Sequence, residues 1–529
     1  MQMRSLRPNL LFAVAAFAVL FGILLTCALA IQKDKAGFFS VSGQDMPLFP
    51  TSPAATAAQE QVVVARTPRG PIVTPTPDAP HPLPAMRTKA DHYTVQPSDT
   101  LGLIAQRYGV SIEQLVEANS LANPDILPVG VVLTIPAPNP GNMGPDFKVL
   151  PDSELVYGPA TRVAGAISTF DIAGFIQSQG GYLAHYQEEV DKQNLNGAQV
   201  VQRVAQDYSV NPRLLLATLE YQGGWVTNPN PKKNAVDYPM GLRDKKKLGL
   251  YHQLAWAANA LNRGYYLWRV NGVSSWLLSD GSIVPIAPTI NAGTAGVQQL
   301  FALLYNQSKW TEAVSEKGLS ATYTALFGYP FDYTVEPLLP PGLTQPKLQL
   351  PIEPGTDWAF TGGPHPGWDE GSAWAALDFA PPGDALGCVL SDAWVVAVAD
   401  GPITRAENGA VIQDLDGDGF EQTGWVILYM HVDTRDRVQP GTFLKAGQRI
   451  GHPSCEGGVS TGTHTHLARR YNGEWIPADQ DIPFVLDGWV SRGTGREYDG
   501  YLVCGDESCG AISTIEAYAG RSPNNSIQR

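Results

Sequence analysis

No helix or central sheet strand can run through residues 71–84. Pro71, Pro75, Pro77, Pro80, Pro82 and Pro84 each fix φ, lack a backbone N–H and push the preceding residue toward extended backbone. From Gln32 to Ala90 the chain shows little apolar period, so 32–90 reads as a Pro-rich extended linker. A chain broken this way cannot close around one core. Its 529 residues predict roughly three or four domains at about 150 residues each. Hydrophobic residues form 44% of the chain, near the globular share of about 45–50%, which excludes general disorder and a many-spanning membrane protein. A formal charge of -14 argues against nucleic-acid binding, which needs Lys and Arg to neutralise phosphates.

Before the linker, Arg4 and Arg7 precede an apolar stretch from Leu10 to Ala30 that ends in Ala28-Leu29-Ala30. Residues 1–31 therefore read as a signal peptide or a membrane anchor, and either implies export. Cys27 sits in a poor lipoprotein motif and reads as a membrane-buried apolar residue. Four cysteines follow: Cys388, Cys455, Cys504 and Cys509. An even number in an exported chain favours two disulfides over a thiol catalyst. Of the three possible pairings, Cys388 with Cys455 and Cys504 with Cys509 is the one expected.

Residues 91–137 form a compact unit. His92-Tyr93-Thr94-Val95 alternates as a strand, Leu101, Ile104, Ala105 and Tyr108 repeat as a helix, Ile112, Leu115 and Val116 make a second, and Val131–Pro136 closes with a strand. This strand-helix-helix-strand order, in YTVQPSDTLGLIAQRYGVSIEQLVEANSLANPDILPVGVVLTIP, resembles a LysM module. The resemblance implies binding of N-acetylglucosamine-containing glycan through two loops. Here those loops offer Ser98, Asp99, Thr100, Leu101 and Ile126 as glycan-binding candidates. Asp99 and Thr100 equally suit a helix N-terminus.

Residues 148–345 carry helical periods, such as Leu254, Ala257, Ala258, Leu261 and Tyr265, and predict an all-α domain. The run from Asp207 to Trp225 resembles the entry of a lysozyme-like transglycosylase. In such enzymes the proton donor is a Glu, and Gln222 stands in its place here. Gln cannot act as a general acid. Glu220 is two residues away and points about 200° round the helix. The domain therefore reads as lysozyme-like but non-catalytic, a spacer or glycan holder.

Five of the nine histidines fall between 365 and 466: His365, His431, His452, His464 and His466. If His464-Thr465-His466 is extended, its two rings leave one face roughly 7 Å apart. Trp425–Met430 is a buried-type strand that delivers His431, and Ala376-Leu377-Asp378-Phe379-Ala380 delivers a carboxylate in the same way. A catalytic zinc site needs about three protein ligands and an open position, which His365, Asp378 and His466 can supply. His431 and His464 then remain for proton transfer and oxyanion stabilisation.

With TGGPH, ALDF, WVILYMH and VQPGTFLKAGQRIGHPSCEGGVSTGTHTHLA in order, the segment resembles the lysostaphin and LytM family of peptidoglycan metallopeptidases, in its beta-lytic branch. The resemblance places metal ligands on His365, Asp378 and His466, catalytic histidines on His431 and His464, and one Zn2+ per chain between the ligands. Many members hold the first two ligands in a His-x-x-x-Asp run. Trp374 stands four before Asp378, so His365 must arrive across a longer loop. His452 beside Pro453 reads as structural. Asp414, Asp416 and Asp418 resemble half of a calcium loop, but Trp425 occupies the twelfth position where a Glu is needed. A Gly-rich hairpin tip explains them as well, and Ca2+ is the lesser reading.

The expected architecture is multidomain: a βααβ LysM module, an all-α middle domain, a mainly antiparallel β metallopeptidase at 348–490, and a C-terminal extension at 491–529 with a Cys pair. The expected function is an exported zinc metalloendopeptidase cutting peptide cross-links or stem peptides of peptidoglycan at the bacterial envelope. Its membrane contact would be limited to the N-terminal segment. The alternatives are a non-catalytic wall-binding scaffold or amidase activator with a degenerate peptidase fold, and glycan cleavage by the middle domain.

Overall fold

The computed structural model of the chain describes residues 81, 83–96, 99–139, 141–162, 169–383, 385–505 and 513–529. The N-terminal apolar segment, most of the linker, Ser98 and Cys509 lie outside the described residues. Among the described residues, no helix is long and apolar enough to cross a membrane.

The LysM module has the expected order. Strand β1 (Asp91–Thr94) pairs antiparallel with β2 (Val132–Ile135), Asp91 opposite Ile135. Helices α1 (Leu101–Tyr108) and α2 (Ile112–Asn119) lie between them in the chain. Ser111 and Gln114 form a capping box that starts α2. Leu101, Ile104, Ala105, Leu115, Leu133 and Ile135 fill the core. Leu101, one of the glycan-binding candidates, packs its side chain inward at 5% exposure. Asp99 accepts the Tyr93 hydroxyl and the Gln96 N–H, and Thr100 accepts the Leu103 N–H, so both organise the turn into α1. Ile126 is 64% exposed. The linker also ends earlier than expected: His81 stacks on Trp268 with centroids 4.4 Å apart, and Arg87 donates to the carbonyls of Ile135 and Pro136.

The middle region is mainly helical. Asn196 and Gln199 form a capping box at α4 (Gly197–Tyr208), which follows α3 (Ile172–Gln179). Asn211 caps α5 (Pro212–Gly223), whose Pro212 occupies the first turn, where its missing N–H costs nothing. The long α6 (Leu250–Arg269) packs on α7 (Ala292–Ala302), and α8 (Gln307–Ala313) and α9 (Leu319–Phe327) complete the bundle. An all-α domain was expected, and two hairpins correct that. They are β3 (Gln187–Val190) with β4 (Gln193–Asn196), and β5 (Ser275–Leu277) with β6 (Ile283–Pro285). The first turns on Asp191 and Lys192, both at positive φ (48 and 66), the backbone a two-residue hairpin demands. Glu220 accepts the N–H groups of Val226 and Thr227, and Gln222 accepts the Tyr305 hydroxyl. Both side chains are engaged within the region itself.

The C-terminal body is built on an antiparallel sheet. Its strands are β7 (Trp358–His365), β8 (Ala376–Ala380), β10 (Gly401–Glu407), β11 (Ala410–Asp414), β12 (Trp425–Met430), β13 (Phe443–Leu444), β15 (Thr465–Tyr471), β16 (Glu474–Trp475) and β21 (Ser526–Ile527). The order across the sheet is β13-β10-β11-β12-β15-β8-β7-β21, with β16 paired to β15. A small pair, β9 (Val395–Val396) with β14 (Arg449–Gly451), lies apart. Strands β17 (Val485–Leu486), β18 (Trp489–Gly493), β19 (Gly500–Cys504) and β20 (Ser513–Glu516) form a further sheet. A boundary at 490 therefore cuts a strand. Since β21 pairs with β7, the described residues of 491–529 belong to the C-terminal body rather than to an appendage.

Period-two alternation gives the main sheet two apolar faces. Leu377, Phe379, Val411, Ile427, Tyr429 and Leu467 point into the body's own core. Ala376, Ala410, Ile412, Val426, Leu428 and Ala468 share a core with the helices of the middle region. A buried charge network crosses that junction. Arg405 pairs with Asp207 of α4 at 2.8 Å and with Glu421 at 3.3 Å, and Arg470 pairs with Glu421 at 2.8 Å. Removing one partner from such a network leaves an uncompensated buried charge, so Asp207→Ala should destabilise the fold by about 3–5 kcal/mol in denaturant unfolding. A loss below ~1 kcal/mol would mean that Glu421 alone satisfies Arg405.

Candidate metal centre

Register brings the site together. Asp378 of β8 lies opposite His466 of β15, and Gly362 of β7 lies opposite Asp378. Asp378 and His466 share the sheet face of Ala376 and Ala468, beside the helical junction. His365 ends β7, and the loop 366–375 separates it from β8. The two glycines of TGGPH are dictated by close approach. A Cβ on Gly362 would meet the Asp378 carboxylate at 2.6 Å, and one on Gly363 would meet the backbone of Asp499 at 2.7 Å.

The ligand atoms converge. His365 Nε2 is 2.9 Å from His466 Nδ1 and 3.2 Å from Asp378 Oδ1, and His466 Nδ1 is 3.3 Å from the same oxygen. The opposite nitrogens are committed: His365 Nδ1 donates to the Gly363 carbonyl at 2.7 Å and His466 Nε2 to that of Gly367 at 3.1 Å. Each ring therefore turns a lone pair toward the other ring and toward the carboxylate. Asp378 Oδ1 is buried without a hydrogen bond. Three Lewis bases facing one another repel unless a cation sits among them. A tetrahedral zinc site with bonds of about 2.0–2.1 Å needs ligand atoms roughly 3.3 Å apart, and these residues fit it. Burial pulls the His365 ring down, but Asp378 more than offsets this and holds it above its ordinary value. Burial drives His466 down. Burial also opposes ionisation of Asp378, yet the rings of His365 and His464 keep its carboxyl well below the usual range.

His431 and His464 stand beside this trio with ring centroids 4.5 Å apart. His431 Nδ1 donates to the Glu456 carbonyl at 3.0 Å and His464 Nδ1 to that of Gly462 at 2.8 Å, leaving both Nε2 atoms without backbone partners among the described residues. His464 Nε2 is 3.7 Å from Asp378 Oδ1. Burial, reinforced by His464 and His466, lowers His431 to about 3, so its ring is neutral at pH 7. The five residues open into a groove of 2350 Å³ whose walls include Leu386, Leu390 and Val459 on one body and Tyr208 and Tyr251 on the helical region.

Tyr498 was missed in the sequence. It stacks on the His365 ring at 4.3 Å and 19°, fixed by hydrogen bonds between its backbone and those of Gly363 and Pro364. Its only signal is an aromatic residue in a Gly-rich loop. His452 packs against Trp394 and donates to the Ala393 carbonyl, apart from the cluster. The Ca2+ reading is not supported. Asp414 accepts the N–H groups of Asp416, Gly417 and Gly419, and Asp418 pairs with Arg162 of the middle region and with Thr423, so protein groups occupy these carboxylates.

Residues 93–136 match the LysM domain family, and residues 148–340 match the family described as LasA, N-terminal domain. Protease LasA of Pseudomonas aeruginosa is 26% identical over 294 residues, 51% of this chain and 65% of that protein. Beta-lytic metalloendopeptidase of Lysobacter enzymogenes is 26% identical over 154 residues, 29% of this chain and 83% of that protein. The chain is a LysM-containing relative of the LytM and beta-lytic-type peptidases. It spans 65% of the length of Protease LasA. Among solved structures, this relative is similar to the M23 metalloprotease pseudoalterin from the deep sea, at 22% identity over 36% of this chain and 99% of that one, with a TM-score of 0.23. It is also similar to the catalytic domain of lysostaphin from Staphylococcus simulans, at 26% identity over 23% and 88%, with a TM-score of 0.17.

Proposed function

We propose that the chain is an exported zinc metalloendopeptidase that hydrolyses peptide cross-links or stem peptides of peptidoglycan and is held to the wall by its LysM module. The observation that carries this is the convergence of two imidazole lone pairs and the orphaned Asp378 oxygen within 2.9–3.3 Å. A divalent ion held by His365, Asp378 and His466 would supply Lewis-acid polarisation of a scissile carbonyl. The chain's own groups do the rest. His431, kept neutral by burial, accepts a proton from the attacking water at Nε2. His464 holds its Nε2 toward the same space; carrying a proton there as well as on Nδ1, it donates to the oxyanion and gives that Nε2 proton to the departing amine, and the proton taken up by His431 restores it. The groove admits an extended peptide along the sheet face, and the LysM tether raises the local concentration of its polymer. One Zn2+ per chain, peptidoglycan as partner and an extracytoplasmic location belong to this reading.

Mass spectrometry of purified peptidoglycan after digestion tests it. New amino and carboxyl ends in the peptide moiety are the expected result. Intact peptides with newly freed reducing ends would transfer activity to the middle region, and an unchanged polymer would leave a wall-binding scaffold.

A further inference from the structure

The Cys388–Cys455 disulfide lies at the groove, and its four neighbours in the chain hold the two histidines that are not ligands. On one side, Ser454 donates both its N–H (2.7 Å) and its hydroxyl (2.9 Å) to the His431 carbonyl, and its own carbonyl accepts the His464 N–H at 3.3 Å. Glu456 provides the carbonyl that fixes the His431 tautomer. On the other side, the Gly387 carbonyl accepts the Thr463 N–H at 3.0 Å. The Val389 N–H donates to Thr463 Oγ1 at 2.9 Å, and that hydroxyl donates to the Val389 carbonyl at 2.5 Å. Thr463 immediately precedes His464. His431 itself sits at φ 64, a backbone that persists in a non-glycine residue only where its surroundings impose it. Among the described residues, the bonds that hold the His365 and His466 rings, to Gly363 and Gly367, and the β8–β15 pairing that carries Asp378 lie outside these segments.

We infer that the Cys388–Cys455 disulfide, with Thr463, is a positioning device for His431 and His464 and not for the metal ligands. The disulfide pins the 387–389 segment to the 454–456 segment, and the two segments together hold the His431 ring through Glu456 and the backbone of His464 through Ser454 and Thr463. Without it, the metal trio stays assembled while the proton-transferring rings lose their aim. A misplacement of about 1 Å in such groups costs on the order of 100-fold in rate.

This inference rests on the hydrolase reading, so wild-type turnover on peptidoglycan is the reference; if there is none, that reading is overturned before this one is reached. The paired substitution Cys388→Ser with Cys455→Ser is preferable to a reductant, since Cys504 is also disulfide-bonded. The expected result is a kcat lowered roughly 10- to 100-fold with KM within about twofold of wild type, and metal content unchanged. Thr463→Val, which leaves the disulfide intact, should lower kcat in the same way, and Thr463→Ser, which keeps the hydroxyl, should restore it. Wild-type kcat in Thr463→Val would overturn the inference, also where the cysteine variant fails to fold. Loss of metal together with kcat in the cysteine variant would overturn it as well, by making the disulfide a general brace.

Discussion

Asp378→Asn is expected to strip the metal from the centre and abolish turnover. The neutral amide keeps the shape of the carboxylate, so Gly362 and the β8–β15 register remain undisturbed, but the anionic ligand is gone. What remains is two imidazole nitrogens 2.9 Å apart, without the anionic oxygen that completes a three-ligand set. Loss of an outer-shell partner alone typically costs about 10- to 100-fold in metal affinity, and loss of a direct ligand costs more. Metal analysis after gel filtration should find the variant essentially empty, and peptidoglycan digestion should fall to background. A variant that kept its full metal content would show that Asp378 Oδ1 is not a ligand.

His464→Ala separates chemistry from binding. Its ring stands 3.7 Å from Asp378 Oδ1, farther than the 2.9–3.3 Å that separates the atoms of the trio. The variant should therefore retain about one metal per chain and lose roughly 10²- to 10⁴-fold in kcat, the usual worth of a positioned acid or base. Metal content and turnover measured on one preparation decide it. Full turnover would reject the role assigned to His464, and an empty centre would make it a ligand.

Where side-chain chemistry is tied to a strand period, the site was legible in the sequence. Trp425–Met430 and the pair His464 and His466 declare buried strands with a polar end, and Asp378 sits among alternating apolar residues that leave it one direction to face. The longer path to His365 followed from Trp374 standing where a nearer histidine would be. Features set by tertiary partners were not legible. The Asp191-Lys192 turn reaches positive φ without glycine, so nothing in its composition marks a hairpin. Leu101 reads both as the first residue of a helical repeat and as a loop contact, and only the packing of α1 shows its side chain in the LysM core. Tyr498 meets His365 through backbone bonds between its loop and Gly363 and Pro364 of β7. Small residues such as Ala376, Ala410 and Ala468 gave no hint that the ligand-bearing face of the sheet would be covered by helices.

The most direct test is the zinc content of the purified chain, measured by elemental analysis beside His365→Ala and His452→Ala. About one zinc per chain in the wild type and in His452→Ala, with none in His365→Ala, is the predicted result. A wild type that binds no divalent metal, or a His365→Ala variant that binds as much as wild type, would contradict a centre built from His365, Asp378 and His466.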